Sequence, residues 1–378
     1  MPTRRAFSAS FAAAALTGCA STTALAPPDA ASRAVAPRRP PLKLAKVLVN
    51  EDRVTRTVVG LRPFRPSGFV VRADKFGDKA LVHNYGHGGG GVTLSWGTAE
   101  LAVPLGFQGP HRRYAVLGCG AVGLATARLL QERGGKVTIY ADKLPPETTS
   151  NIAGAQWWPY LVYDHDKISD AFKDQFTQAA NLAYRRYQTM LSPYYGVAWR
   201  RNFQLSDGPQ AATQLHGASG PLKGLAPESV NIPPGEHPFG NRWLQQFDAM
   251  HIEPPIYLHA VMMDFFAAGG QIETRRFETT ERVAALAEPV IYNCTGLGAG
   301  KLFGDAEIEP VKGQLIVLLP QPEVDYNLMG DDCYMFPRHD GIMLGGTHEP
   351  GVWDTGVNEA EYKRVWATQQ AIFANMAA

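Results

Sequence analysis

The run at residues 114–142, YAVLGCGAVGLATARLLQERGGKVTIYAD, restricts the fold more than any other, because strand, glycine turn, helix and second strand follow without a break. Residues 114–117 are β-prone, and Gly118, Gly120 and Gly123 then give G-x-G-x-x-G at a strand-to-helix turn, with Ala121 and Val122 inside it. Glycine there permits a tight turn and lets backbone approach a pyrophosphate closely. The spacing predicts a helix over 124–133 stopped by Gly134-Gly135, then a strand over 136–140 that ends at Asp142. A carboxylate at that place can take a ribose hydroxyl, so the unit reads as a dinucleotide site.

With 378 residues and 45% hydrophobic content the chain can bury a large core, most naturally as two domains. A net charge of +1 without long basic clusters gives no electrostatic reason to expect nucleic acid. Four scattered cysteines form neither a disulfide framework nor a C-x-x-C zinc pattern, so no metal is expected. The N-terminus stands apart. Thr3-Arg4-Arg5-Ala6-Phe7 resembles a twin-arginine export signal, residues 11–16 are apolar, and Leu16-Thr17-Gly18-Cys19 resembles a lipoprotein processing site. Residues 1–19 are therefore expected to direct export and, through acylated Cys19, to anchor the protein to a membrane surface outside the cytoplasm. Residues 20–44, rich in Ala, Pro, Ser and Thr, read as a flexible tether.

Beyond the tether, residues 54–59 are expected to form a strand, followed by Leu61-Arg62-Pro63-Phe64-Arg65-Pro66. Prolines on both sides of the arginines exclude a helix interior. The segment suits either a fixed guanidinium for bidentate carboxylate recognition or a surface loop with solvated arginines. A strand at 80–82 leads through HNYGHGGGG into a helix expected over 92–103, a second glycine loop where bare N–H groups can approach a cofactor. His83 and His87 read as hydrogen bonders that shape this loop. Residues 104–113 read as a connector.

Thr148, Thr149 and Ser150 offer hydroxyls to phosphates or make an ordinary polar turn, and residues 154–160 form a small and aromatic stretch that lines a flat ring or fills a core. Ile168, Phe172, Phe176, Ala180, Ala183, Tyr187 and Leu191 repeat at helical spacing. Residues 199–238 read as part of an antiparallel sheet or its loops. A helix is expected over 256–268, with strands at 271–277, 290–295, 312–319, 334–338 and 342–344 and a final helix from about 359. The strand VIYNCTG, which ends at Thr295 and Gly296, is apolar enough to lie in a parallel sheet beside the first dinucleotide strand.

Laid out in this way, the chain resembles the D-amino-acid oxidase family of flavoproteins from residue 54 to about 374. The signatures are VLGCGAVGL, VTIYAD with TTSN, AGAQWWPY, YNCTGLGAG, KGQL, YMFP with MLGG, GLRPFRP and HNYGHGGGGVTLSWG. The resemblance implies a Rossmann-like FAD-binding domain from 61–151 and 251–304. It also implies a second α+β antiparallel-sheet substrate domain from 45–60, 152–250 and 305–378. FAD is implied on Gly118, Gly120, Ala121, Val122, Gly123, Asp142, Thr148, Thr149, Ser150, Gly154, Thr295 and Gly296, with Gly88, Gly91, Val92 and Thr93 near the flavin. Arg62 would pair with the substrate carboxylate, Tyr334 would donate a hydroxyl to it, and the Gly89 carbonyl would accept from the amine. The implied reaction is oxidative deamination of a D-amino acid by hydride transfer from Cα to flavin N5, with dioxygen as second substrate.

Two departures stand out. Gly330 occupies the position of a lid tyrosine in vertebrate members, and Trp158 that of a glutamine. In the family's usual order GLRPFRP and HNYGHGG come last, whereas here they precede the dinucleotide unit. That order implies a circular permutation, or residues 45–107 completing a neighbouring chain in a domain-swapped homodimer.

Overall fold

The computed structural model describes residues 41–154, 156–211, 222, 224–225 and 228–377; the expected export segment lies outside them. Chain order begins β1 (Val54–Phe64), β2 (Val70–Phe76), β3 (Lys79–Tyr85), α1 (Gly91–Gly106), β4 (Arg113–Leu117), α2 (Ala121–Glu132) and β5 (Lys136–Ala141). It continues through α3 (Thr149–Ile152), α4 (Asp170–Gln188), β6 (Val197–Ser206), β7 (Val230–Ile232), β8 (Trp243–Ile252), α5 (Pro254–Ala267) and β9 (Gln271–Thr274). It closes with α6 (Thr280–Ala284), β10 (Val290–Asn293), α7 (Gly298–Phe303), β11 (Glu309–Leu318), β12 (Tyr326–Gly330), β13 (Cys333–Arg338), β14 (Gly341–Gly345), β15 (Glu349–Pro350) and α8 (Glu359–Ala374).

A six-stranded sheet runs β2–β3–β10–β4–β5–β9. Every pairing from β3 onward is parallel, and β2 joins the edge antiparallel. Period-two burial explains the strands: Tyr114, Val116, Ile139 and Tyr292 pack on one face with α1, α2, α4 and α5. Ala115, Leu117, Tyr140 and Ile291 pack on the other with residues of α6 and α7. A sheet covered on both faces needs nearly continuous apolar strands, which is why β10 is buried throughout. As expected, β10 lies beside β4, with Val290 opposite Tyr114 and Asn293 opposite Leu117. Its other neighbour is β3, so residues distant in sequence meet at the carboxyl ends of adjacent strands.

The second sheet has nine strands in the order β1–β11–β14–β13–β12–β6–β8–β7, with β15 also on β11. Strand β1 runs past the expected 59 to Phe64 and pairs with β11 along its length. Pro63 fits there because β1 is the edge strand, where a missing N–H breaks no ladder. Val47 and Val49 share a core with Phe373 and Met376, so the two ends of the described chain pack together against this sheet.

Helix α4 follows its apolar repeat: Phe172, Phe176, Ala180, Ala183 and Tyr187 are buried, and Ser169 Oγ caps the start by accepting from Phe172 N–H. Each large side chain there contributes about 2 kcal/mol. Ile168 and Leu191 fall outside the helix, and Leu191 is exposed.

Three expectations are corrected. Helix α1 continues through Pro104 to Gly106, because a proline in the last turn removes one hydrogen bond without breaking a helix already packed on its neighbours. Strand β9 stops at Thr274, where Arg275 N–H turns to the Ala141 carbonyl. Strand β10 stops at Asn293, and Thr295 enters a turn.

Candidate active site

A cavity of about 880 Å³ opens at the carboxyl ends of the parallel strands and is walled on its far side by the nine-stranded sheet, which is not wholly antiparallel as expected, because β6 and β12 pair in parallel. All of the residues expected at a site line it. Arg62 comes from β1, and Gly88, Gly89, Gly91, Val92 and Thr93 from the start of α1. Gly118, Gly120, Ala121, Val122, Gly123 and Asp142 come from the dinucleotide unit, and Thr148, Thr149, Ser150 and Gly154 from α3 and its flanks. Thr295 and Gly296 follow β10, and Tyr334 lies on β13.

At the nucleotide end, Gly118 has a φ of +103°, and a Cβ on Gly123 would lie 2.0 Å from the Gly118 carbonyl oxygen. Side chains are thus excluded where the turn folds under α2. That helix begins without a side-chain cap at Gly120, and Ser150 Oγ accepts from Ala121 N–H at 3.0 Å. Its positive end faces the cavity, a setting suited to phosphate. Asp142 is exposed just past β5. Asn84 is fully buried in the cavity wall, gives its Nδ2 hydrogen to Thr126 Oγ1 at 3.1 Å, and keeps an Oδ1 with no partner among the described residues. A buried acceptor without a donor calls for a ligand donor. The glycine cradle, the open helix terminus and this orphaned oxygen fit a dinucleotide cofactor.

The second glycine loop is held from behind. Trp157 Nε1–H donates to the Thr93 carbonyl at 3.1 Å, Tyr187 Oη–H to the Val92 carbonyl at 2.7 Å, and Gly89 N–H to the Leu161 carbonyl at 2.9 Å. His87 is buried, stacks on Phe69 and shares a 2.9 Å hydrogen bond with Thr98 Oγ1. Burial lowers its pKa to about 3, so the imidazole stays neutral.

The two arginines of GLRPFRP have separate fates. Arg65 is consumed by structure: it meets Asp305 at 2.8 Å and Glu307 at 2.6 Å, and donates to Ser67 Oγ and the Gly68 carbonyl. Arg62 forms no ion pair among the described residues, and its hydrogen bond is a 3.4 Å contact to the Thr347 carbonyl. Its guanidinium lies over Gly313, where a Cβ would come within 2.4 Å of Nη1. An unpaired guanidinium in a cavity wall is prepared for an anion. Tyr334 lines the same cavity, stacks on Phe336 at 4.5 Å, and has no hydrogen-bond partner for its hydroxyl among the described residues. Burial raises its pKa and the Arg62 charge opposes that, leaving a protonated donor at neutral pH.

Several cavity residues escaped the sequence reading. Arg275 covers the Tyr140 ring at 5.3 Å, and with Arg276 it lies in what was expected to be strand. Asn84 stands within HNYGHGGGG but had no role of its own assigned there. His348, two residues beyond MLGG, is held below its ordinary pKa by lost solvation and then by the Arg62 charge.

A glycine turn at the ends of a parallel sheet, continuous with a cavity walled by a second sheet, defines a dinucleotide-binding α/β protein with a substrate chamber. The family model described as FAD dependent oxidoreductase (DAO) matches residues 29–105 and 113–378, so the chain belongs to that family; it is an enzyme, and FAD is its cofactor. A D-amino-acid oxidase of Streptomyces coelicolor is 32% identical over 250 residues, 64% of this chain and 71% of the relative. Another, from Rubrobacter xylanophilus, is 31% identical over 252 residues, 64% of this chain and 72% of the relative. Glycine oxidase from Geobacillus kaustophilus shares the fold, with a TM-score of 0.50 and 16% identity over 71% of this chain and 80% of that one.

Proposed function

We propose that the enzyme deaminates D-amino acids oxidatively, giving 2-oxo acids, ammonia and, with dioxygen as acceptor, hydrogen peroxide. The observation that carries this reading is the unpaired Arg62 guanidinium sharing one cavity with the Tyr334 hydroxyl. Arg62 binds the substrate carboxylate, and Tyr334 donates to the same group. The Gly89 carbonyl accepts from the amine, which orients Cα. Bound FAD supplies the hydride acceptor and the centre for dioxygen reduction. The residues bind and orient, and no His/Asp acid–base pair is required. Both named relatives at about 30% identity are D-amino-acid oxidases, which supports the same substrate class.

The test is anaerobic flavin bleaching with a panel of both enantiomers and glycine, followed by a peroxide assay in air. Bleaching by D-amino acids with stoichiometric peroxide is expected. Bleaching by glycine or another small amine alone, without peroxide, would replace this reading with that of a small-amine dehydrogenase. A flavin that no amino acid bleaches would leave a non-catalytic flavin protein.

The chain order supports a circular permutation within one chain. The family matches in two stretches on either side of 106–112. A monomeric active holoenzyme in sedimentation is expected; activity confined to dimers would favour the swapped homodimer. We also propose export and lipid anchoring through Cys19. The Cys19→Ala protein is expected in the soluble fraction or with its signal uncleaved, and mature protein still bound to membranes would refute the anchor.

A further inference from the structure

A second set of buried polar groups reaches the cofactor cleft from the surface. His83 of β3 is 3% exposed and lies opposite Asn293 in the parallel register of β3 and β10. His83 Nε2 stands 3.1 Å from Asp74 Oδ2 on β2, and His83 Nδ1 stands 2.9 Å from Asn293 Nδ2. Asn293 Oδ1 accepts from both Thr295 N–H at 3.2 Å and Thr295 Oγ1–H at 2.7 Å. Thr295 and Gly296 form the turn that lines the cavity between the ends of β3 and β4.

Each group in this chain has only one possible role. The backbone N–H of Thr295 can only donate, so the oxygen of the Asn293 amide must face it and the nitrogen must face His83. An amide nitrogen has no lone pair to offer, so His83 Nδ1 must be the acceptor. The proton of the neutral ring then sits on Nε2 and is given to Asp74. Donation runs one way, from Thr295 through Asn293 and His83 to Asp74.

We infer that His83 is a positioning residue for the FAD cleft, and that its neutral, Nε2-protonated form is required to hold the Thr295–Gly296 turn in its cofactor-binding shape. Protonation of Nδ1 would set two donors against each other. Relief requires the Asn293 amide to turn over, which takes its acceptor oxygen away from Thr295.

Burial and the Arg72 charge oppose that protonation, while the Asp74 and Asp305 charges favour it, and the net effect is a lowered pKa. Asp74 and Arg72 face the ring from β2, Asp305 from the segment after α7, and the Tyr85 and Phe303 rings pack edge-on at 5.7 and 5.4 Å. Asp305 is already engaged by Arg65 and Tyr85. Burial is the largest influence and lowers the His83 pKa below 6.5, against the raising effect of Asp74. With the turn released, the ring titrates nearer its ordinary value. Between the lowered value and about 6.5, proton uptake therefore accompanies FAD loss, so affinity falls with falling pH, at most about tenfold per unit for one proton.

The measurement is the FAD dissociation constant of the apoenzyme, read by flavin fluorescence from pH 5 to 8, which requires no substrate and is independent of the proposed D-amino-acid activity. The wild type is expected to lose affinity below about pH 6.5 with a one-proton slope. His83→Gln, which keeps an acceptor but cannot titrate, is expected to stay within a few-fold of wild type at pH 7.5 and to lose the slope. Because His348 also lines the cavity, an unchanged slope in His83→Gln would overturn the inference. Asp74→Asn lies on the exposed edge strand and serves if His83→Gln does not fold. The pairing of β2 with β3 keeps Asp74 beside the ring whether the turn is held or released, so removing that charge lowers the His83 pKa in both states; the onset of FAD loss should move to lower pH, and an unmoved profile would equally overturn the proposal.

Discussion

Arg62→Ala is expected to remove substrate turnover while FAD content stays at the wild-type level. The alanine leaves a bound carboxylate without its charge-assisted pair, a loss of about 3 kcal/mol or more, so kcat/KM should fall by more than about a hundredfold. Arg62 carries no structural ion pair among the described residues, so little stability goes with it. Arg65→Ala supplies the contrast. That guanidinium ties β1 to Asp305 and Glu307, and its removal strands two carboxylates, one of them largely buried. The Arg65 variant should melt several degrees lower and still turn over substrate per folded molecule. Steady-state kinetics and flavin absorbance on both variants decide it. Loss of turnover in a folded Arg65 variant, with Arg62→Ala still active, would reverse the assignment.

The parts of the fold that were legible from sequence are those encoded by neighbours in the chain. The glycine turn at 118–123 announces itself because every constraint on it lies within about thirty residues. Helix α4 was visible through a repeat of buried residues that is unbroken from Phe172 to Tyr187. Strands β2 and β8 were not foreseen, for different reasons. β2 carries Arg72, Asp74 and Lys75 on an exposed edge, and its pairing with β3 overrides weak β propensity. β8 is buried at most positions on both faces and so shows no alternation, and its existence depends on pairing with β6 over ten residues.

The site divides similarly. Arg62, Tyr334 and the two glycine loops could be placed by motif, whereas the partners that set their state are non-local. The separate fates of Arg62 and Arg65 depend on Asp305 and Glu307, some 240 residues away. The orphaned oxygen of Asn84 depends on Thr126, and the tautomer of His83 on Asn293, 210 residues distant. No local pattern carries such information: the His83–Asn293 contact arises only when the parallel sheet brings β3 and β10 side by side, and the others only when α2 packs on β3 and the segment after α7 meets the end of β1.

Gly123→Ala is expected to yield protein that no longer retains FAD. The added methyl would stand 2.0 Å from the Gly118 carbonyl oxygen and 2.8 Å from its carbon. Those atoms are backbone, so neither a rotamer change nor a flexible side chain can make room, and α2 must move away from the turn. Moving it withdraws the helix N-terminus from the phosphate position and disturbs the Ala121–Ser150 contact that fixes it. Overpacking of this kind costs about 3 kcal/mol, enough to weaken FAD binding more than about a hundredfold if it falls on the cofactor-bound state. Gly120→Ala is the matched control. Its nearest obstacle is Ser150 Oγ at 3.1 Å, a side-chain atom that needs to give by only a few tenths of an ångström while α2 stays in place; at most the single Ala121–Ser150 hydrogen bond is weakened, so FAD affinity should drop only a few-fold. Flavin-to-protein absorbance after gel filtration, with a thermal melt of each apoprotein, separates lost binding from lost folding. Equal flavin retention in the two variants would mean that the close approach of Gly123 to Gly118 is not what shapes the pyrophosphate site.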